Sequence, residues 1–314
     1  GHRYVRTLKL KKAKKMRGIV ANARTHRLYV SYKNKLVSID LLTDKILWKQ
    51  KLDSGTDRMA LTPDGQTIYL PSGAKTQTPY WYVIDALTGK VTAKIDFHAG
   101  AHNTIVSLDG TRAYLASLQH NTIAVVDTAT HKISQEVGPF GGFVRPFTVD
   151  AKSARLFATV NDLLGFEIAD LRSGKVVARV EVPGFRPGPV RAHHCPSHGI
   201  GLTPDGKEAW VVDGFNRRVH VFDLTGPAPA LVASIAVFDE PYWISFGLDG
   251  KTAYASTGDV IDVATRRIVG VLSDKNGARV HSEKMLEIDF ADGAPVRVGD
   301  QFGLGRNTSA LTWL

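Results

Sequence analysis

Thr62-Pro63-Asp64-Gly65-Gln66-Thr67-Ile68-Tyr69-Leu70 joins a tight turn to a short run of strand character. The Asp-Gly pair supplies the turn, because glycine reaches positive φ without steric cost, and Ile68-Tyr69-Leu70 continues with strand rather than helix patterning. The same unit recurs as Ser107-Leu108-Asp109-Gly110 with Tyr114, Thr203-Pro204-Asp205-Gly206 with Trp210, and Gly247-Leu248-Asp249-Gly250 with Tyr254. In each copy an aromatic residue stands five positions after the aspartate. Degenerate copies place Arg24 with Tyr29 and Lys152 with Phe157, and Asp292-Gly293 supplies a seventh turn without its aromatic. The turn positions 24, 64, 109, 152, 205, 249 and 292 are spaced by 40 to 45 residues, except for one gap of 53 that contains the Pro/Gly-rich insertion from Pro183 to Ser197. A period of this length is the signature of a repeat architecture.

Within each unit an apolar strand, the turn, an aromatic strand and a polar loop lead to a strand ending in Asp followed by Thr or Ser, as in Val83-Ile84-Asp85, Val125-Val126-Asp127 and Val221-Phe222-Asp223. That is a four-stranded meander. One meander cannot bury both faces, whereas seven stacked radially can, so the prediction is an all-β, seven-bladed β-propeller forming a single domain over residues 1–314. To close the ring, Tyr4-Val5-Arg6-Thr7-Leu8-Lys9-Leu10 is expected to pair with the C-terminal strand Ser309 to Leu314 in the last blade, covering edges that an open sheet would expose.

The unit running from Tyr29-Val30-Ser31-Tyr32-Lys33-Asn34 to Ile39-Asp40, with its later copies, resembles the YVTN family of β-propeller repeat proteins over nearly the whole chain. The resemblance implies a seven-bladed ring of a kind often exported or surface-located, and it leaves the chemistry open. The chain opens on Gly1-His2 without methionine, which fits an export signal already removed, so a periplasmic or extracellular location is expected.

Composition narrows the classes further. With 314 residues, 43% of them hydrophobic, the chain can build a core, and apolar runs as short as Ile235 to Phe238 exclude a membrane-spanning helix. No membrane insertion is expected, and the chain is expected to be a monomer. The single cysteine, Cys195, rules out an internal disulfide, and there is no CxxC pair. Forty Lys and Arg against thirty Asp and Glu give a net charge of +10, which favours anionic partners. Gly201 to Lys207 has phosphate-loop spacing but Glu208 stands where a magnesium-binding Ser or Thr is needed, so it reads as a repeat turn.

In a meander blade the loop entering the innermost strand and the loop between the second and third strands emerge on one face. Seven positions before each turn aspartate, this frame finds Arg17, Asp57, His102, Arg145, His198, Tyr242 and Met285; eleven positions before, it finds His98, His194 and His281. Cys195, His193 and Glu283 lie in the same loops, and His120 lies in a loop between strands on that face. Histidines converging on an axis can hold Zn, Cu, Mn or Fe without a local motif. The expected ligands are His102 and His198 with His194, His281 or His98. Arg145 is expected to bind a carboxylate or phosphate, and Tyr242 or Glu283 to transfer a proton.

The function expected on these residues is a metal-dependent lyase or hydrolase acting on an anionic or polyhydroxy small molecule or glycan. Two alternatives remain at this point. The histidines could instead hydrogen-bond neighbouring blades and fill a wet channel. The protein could also be a non-catalytic ring binding acidic glycan, peptide or single-stranded nucleic acid through the basic run Lys9, Lys11, Lys12, Lys14, Lys15 and Arg17 and surface aromatics.

Overall fold

A computed structural model describes residues 2–10, 13 and 15–306. Among these residues there is no helix, and so none long and apolar enough to cross a membrane. The strands form seven antiparallel sheets in chain order: six four-stranded meanders over residues 18–51, 60–96, 101–137, 144–181, 200–236 and 244–271, and a two-stranded hairpin over residues 288–298. We number them sheets one to seven.

Each predicted turn aromatic sits in the second strand of its sheet. Tyr29, Tyr69, Tyr114, Phe157 and Trp210 are fully buried, whereas Tyr254 is half-buried. Burying rings of this size against the adjacent sheet contributes on the order of 2 kcal/mol each, so the repeat spacing is also the spacing of the core. The Asp-Gly turns form as the sequence requires. The Gly65 amide donates to the Thr62 carbonyl at 2.8 Å, the Gln66 amide donates to Asp64 Oδ1 at 3.0 Å, and Gly65 adopts φ +74°. In the degenerate fourth copy Ser153 takes the glycine's place at φ +52°.

The strand-ending aspartates close the opposite turns. Asp127 Oδ1 accepts from both the amide and the hydroxyl of Thr130 at 2.8 Å, and Asp40, Asp85, Asp170, Asp223 and Asp262 repeat the arrangement with Thr43, Thr88, Ser173, Thr225 and Thr265. Hydrogen bonds from these partners hold the carboxyls of Asp40, Asp127, Asp170, Asp223 and Asp262 below their ordinary value of 3.8. A depressed folded-state pKa contributes stability above the unfolded value and loses it as pH falls through the folded value. The thermal midpoint is therefore expected to fall as pH drops below about 3.8, and to fall less steeply when Asp40, Asp127 and Asp262 are all replaced by Asn, which keeps the turn acceptor without titrating. Equal slopes for the two proteins in calorimetric scans would remove these turns as the cause.

The chain divides into two compact units. One comprises residues 8–139 and 286–301 and contains sheets one, two, three and seven. In it the first strands lie side by side: Gly18–Asn22 against Ala60–Leu61, Ala60–Leu61 against Ala101–Val106, and Ala294–Val298 of sheet seven against Gly18–Asn22. Apolar clusters fill the spaces between sheets, with Tyr29, Leu36, Leu70 and Tyr82 between sheets one and two and Trp81, Val83, Leu115 and Val126 between two and three. The buried Trp81 Nε1–H donates to Thr104 Oγ1 at 2.8 Å, tying the second pair together.

The other unit contains sheets four, five and six, together with residues 2–7 and 302–306. Its first strands Val144–Val149, Ile200–Leu202 and Ile244–Phe246 pack in the same succession, over cores built around Phe157, Phe166 and Phe222 and around Trp210, Val221 and Ile244. Residues 302–306 run along this inner layer. The Gly303 carbonyl accepts from the Leu202 amide at 2.7 Å and from Thr148 Oγ1 at 2.9 Å, and Phe302 packs edge-on against Trp243.

The expected closing strand differs. Residues 4–10 carry no strand, and Tyr4, Val5 and Leu8 are exposed. Strand geometry needs a hydrogen-bonded neighbour, and the neighbour expected for it, Ser309 to Leu314, lies outside the described residues, as do Lys11, Lys12 and Lys14 of the basic run. Among the described residues sheet seven is a hairpin of Ile288–Ala291 and Ala294–Val298.

Candidate metal centre

The insertion between sheets four and five is rich in Pro and Gly and cannot continue a ladder, so it loops out and is fastened by side chains. The Phe185 ring lies 4.6 Å from that of His220, and Asn216 Nδ2 donates to the Arg186 carbonyl at 3.0 Å. Further along, the Pro196 carbonyl accepts from the Gly214 amide at 3.2 Å, and the fully buried Ser197 Oγ accepts from the Gly165 amide at 3.1 Å. His220 itself is clamped: its Nε2 lies 3.0 Å from Asp213 Oδ2 and its Nδ1 2.8 Å from Ser234 Oγ, with the side chains of His220 and Asp213 both fully buried.

Two consecutive residues of the insertion, His193 and His194, adopt φ +65° and +52°. Left-handed backbone is uncommon outside glycine, and two such residues in succession turn the chain sharply. The twist brings His193 back over His198, with ring centroids 3.7 Å apart and planes 21° from parallel. His193 Nε2 meets Glu283 Oε1 in an ion-pair contact, and Glu283 Oε2 is held by Lys284 Nζ at 3.1 Å. One ligand atom each from His193, His198 and Glu283 lies within 4.8 Å of the others. Glu283 is placed by a short path in which the Val280 amide donates to the Leu272 carbonyl and the Ser282 amide to the Ser256 carbonyl, both at 2.9 Å.

The walls are set by sheets five and six. Tyr242 presents its ring edge to His193 at 4.9 Å, and Trp243 lies beneath His198 at 6.4 Å. Gly199 permits that approach, because a Cβ there would stand 2.8 Å from the Tyr242 carbonyl oxygen and the Trp243 Cα. Cys195 Sγ lies 3.4 Å from His198 Nδ1. Burial pushes the Cys195 thiol up to about 12, with Arg145 pulling the other way and Glu283 and Asp162 adding to the rise. At neutral pH the group beside His198 is thus a thiol. In the tautomer that directs Nδ1–H at the sulfur, Nε2 is the unprotonated ring nitrogen of His198.

Of the ligands expected from sequence, His198 belongs to this group and Glu283 joins it as a candidate ligand beyond its expected proton-transfer role. His194 and His281 are exposed and lie outside the group. His98 and His102 belong to the unit of residues 8–139, where His102 Nδ1 pairs with Asp57 Oδ2 at 3.1 Å and both side chains are buried. Tyr242 donates its hydroxyl to Glu240 Oε2 at 2.6 Å, and burial together with that carboxylate pushes its pKa up, so the hydroxyl is engaged away from the histidines. Arg145 Nε donates to Asn161 Oδ1. His193 is the member of the group that counting from the turn passes over in favour of its neighbour His194. What sets it apart from His194, whose backbone is equally reversed, is its contact with His198 and Glu283, which spacing does not encode.

No protein-family model matches the sequence, and no curated protein matches it.

Proposed function

We propose that the protein is an exported, YVTN-like seven-bladed β-propeller in which His193, His198 and Glu283 hold a divalent transition metal, and that it acts as a metal-dependent lyase or hydrolase on an anionic small molecule or glycan. The propeller reading is supported by seven sheets in strict chain order, by first strands packed in succession within each unit, and by sheet seven lying against sheet one within the unit they share. The metal reading rests on one observation: two imidazoles of one loop, His193 and His198, and a carboxylate from a distant segment, Glu283, converge within 4.8 Å. A His₂–carboxylate donor set suits Zn, Mn, Fe or Cu and leaves positions for water and substrate, as a catalytic site needs. The two rings must turn out of their stack to share an ion, and the ion would displace the proton between His193 and Glu283. Arg145, whose charge reaches the Cys195 thiol beside His198, is the group assigned to a substrate carboxylate or phosphate.

Protein purified without a histidine tag is expected to carry a transition metal by mass spectrometry. His198→Ala and Glu283→Gln should each lower affinity by about 100-fold or more, whereas His194→Gly, matched to the left-handed backbone at that position, keeps the metal. Metal content and affinity unaltered in His198→Ala would defeat the reading. With the metal confirmed, chelation should abolish turnover of a polyuronate panel read by the ultraviolet absorbance of unsaturated products or by reducing ends.

A further inference from the structure

The unit of residues 8–139 contains a second histidine pair that the site above does not use. His98 lies in the link between sheets two and three, and His120 lies in the loop between Arg112–Ser117 and Ile123–Asp127. Their rings stack with centroids 3.4 Å apart and planes 14° from parallel. Phe97 backs the pair, 4.2 Å from His98 and 6.2 Å from His120.

Three features distinguish this pair from ordinary packing. First, the loops are stapled together: the Leu118 amide donates to the Gly100 carbonyl at 3.0 Å, Ser117 Oγ donates to the Ala99 carbonyl, and the Gln119 amide donates to Ser117 Oγ at 3.1 Å. Second, His98 Nε2 is buried and makes no hydrogen bond, a condition that native interiors resolve with water or an ion. Third, His120 is oriented through its other nitrogen, with Nδ1 2.9 Å from Thr122 Oγ1, which donates to Glu136 Oε2 at 3.1 Å. A ligating histidine held by a polar relay to a carboxylate is the outer-sphere pattern of metal sites.

We propose that His98 and His120 form a second metal site, selective for transition cations that favour imidazole, Zn(II) and Cu(II) above all, with the exposed Glu136 able to supply an oxygen. Fanning the two rings apart to share an ion breaks no hydrogen bond of His98 Nε2 and spends none of the His120 Nδ1 contact. The Nε2 atoms are the ligands, and the Thr122–Glu136 relay fixes the tautomer of His120.

The test uses the full chain, tag-free and stripped with chelator, titrated with ZnCl₂ or CuCl₂ alone. In the His193→Ala/His198→Ala protein, which lacks the centre proposed above, a single cation should still bind. Adding His98→Ala should weaken that binding by more than about 100-fold, and adding Thr122→Val instead by about 10-fold, the effect of losing an outer-sphere partner. Electron paramagnetic resonance of the Cu(II) form should show coupling to two imidazole nitrogens, falling to one in His120→Asn, and circular dichroism should show every variant folded. No binding to the His193→Ala/His198→Ala protein, or binding unaffected by His98→Ala, overturns the second site. Equal metal uptake by wild type and His193→Ala/His198→Ala overturns the first centre and leaves this one standing.

Discussion

Gly165→Ala is expected to lower the urea midpoint sharply in the unit that carries the candidate metal centre. Gly165 opens the strand Gly165–Asp170 at φ +145°, and a Cβ there would lie 2.0 Å from the Val180 carbonyl oxygen and 3.0 Å from its carbon. The obstacle is backbone inside a ladder, since Gly165 pairs with Glu181 of the adjoining strand, so no side chain can swing aside. Overpacking of this kind costs about 1 to 3 kcal/mol even where rotamers can adjust, and the forbidden φ adds to it. The Gly165 amide also donates to Ser197 Oγ, so the loop bearing His193 and His198 loses its anchor as the strand shifts. Gly206→Ala is the matched control: its φ is +70°, but nothing lies within 4 Å of the added methyl, and the cost should be about 1 kcal/mol. Urea midpoints measured for both variants decide it, and similar losses would refute the steric account.

Asp213→Ala should cost about 3 to 5 kcal/mol, the range for stripping one member from a buried charged or hydrogen-bonded pair. Asp213 Oδ2 faces His220 Nε2 at 3.0 Å and accepts from Asn216 Nδ2 at 2.7 Å, while Oδ1 accepts from the Asn216 amide at 3.0 Å. Water cannot substitute readily in a site where both side chains are fully buried. The damage should extend to the insertion, because Asn216 holds the Arg186 carbonyl and His220 supports Phe185. Metal affinity is therefore expected to fall along with stability although no ligand is touched. Asp213→Leu combined with His220→Phe removes both partners and should recover part of the loss. A double variant no better than the sum of its singles would show that the pair is not coupled.

The repeat was legible because its determinants are local. An Asp-Gly turn and an aromatic five residues later need no partner elsewhere, and the structure buries Tyr29, Tyr69, Tyr114, Phe157 and Trp210 where that spacing puts them. The closing strand was a different kind of inference. It required Tyr4 to Leu10 to find a neighbour, and alternation alone cannot say whether one is present. The site was legible in its loops and not in its side chains. Equal offsets located His198 and His102, yet His102 turns to Asp57, a neighbour set by the adjoining sheet and not by its own repeat. His193 is hidden for a related reason: the insertion breaks the period, and the direction of a side chain in a left-handed backbone cannot be counted from a turn.

Among the described residues, every pairing within a sheet joins a strand to the next one along the sequence. Contact order is correspondingly low, and each meander can assemble without waiting for distant segments. The contact of Ala294–Val298 with Gly18–Asn22 is of another sort, since it brings together opposite ends of the sequence and bears the largest loop-closure entropy. Folding of residues 8–139 can therefore begin on their own hairpins as the chain is made, while sheet seven must wait for nearly all of it. Joining sheet seven to sheet one is therefore expected to be the slowest step in forming the unit of residues 8–139 and 286–301.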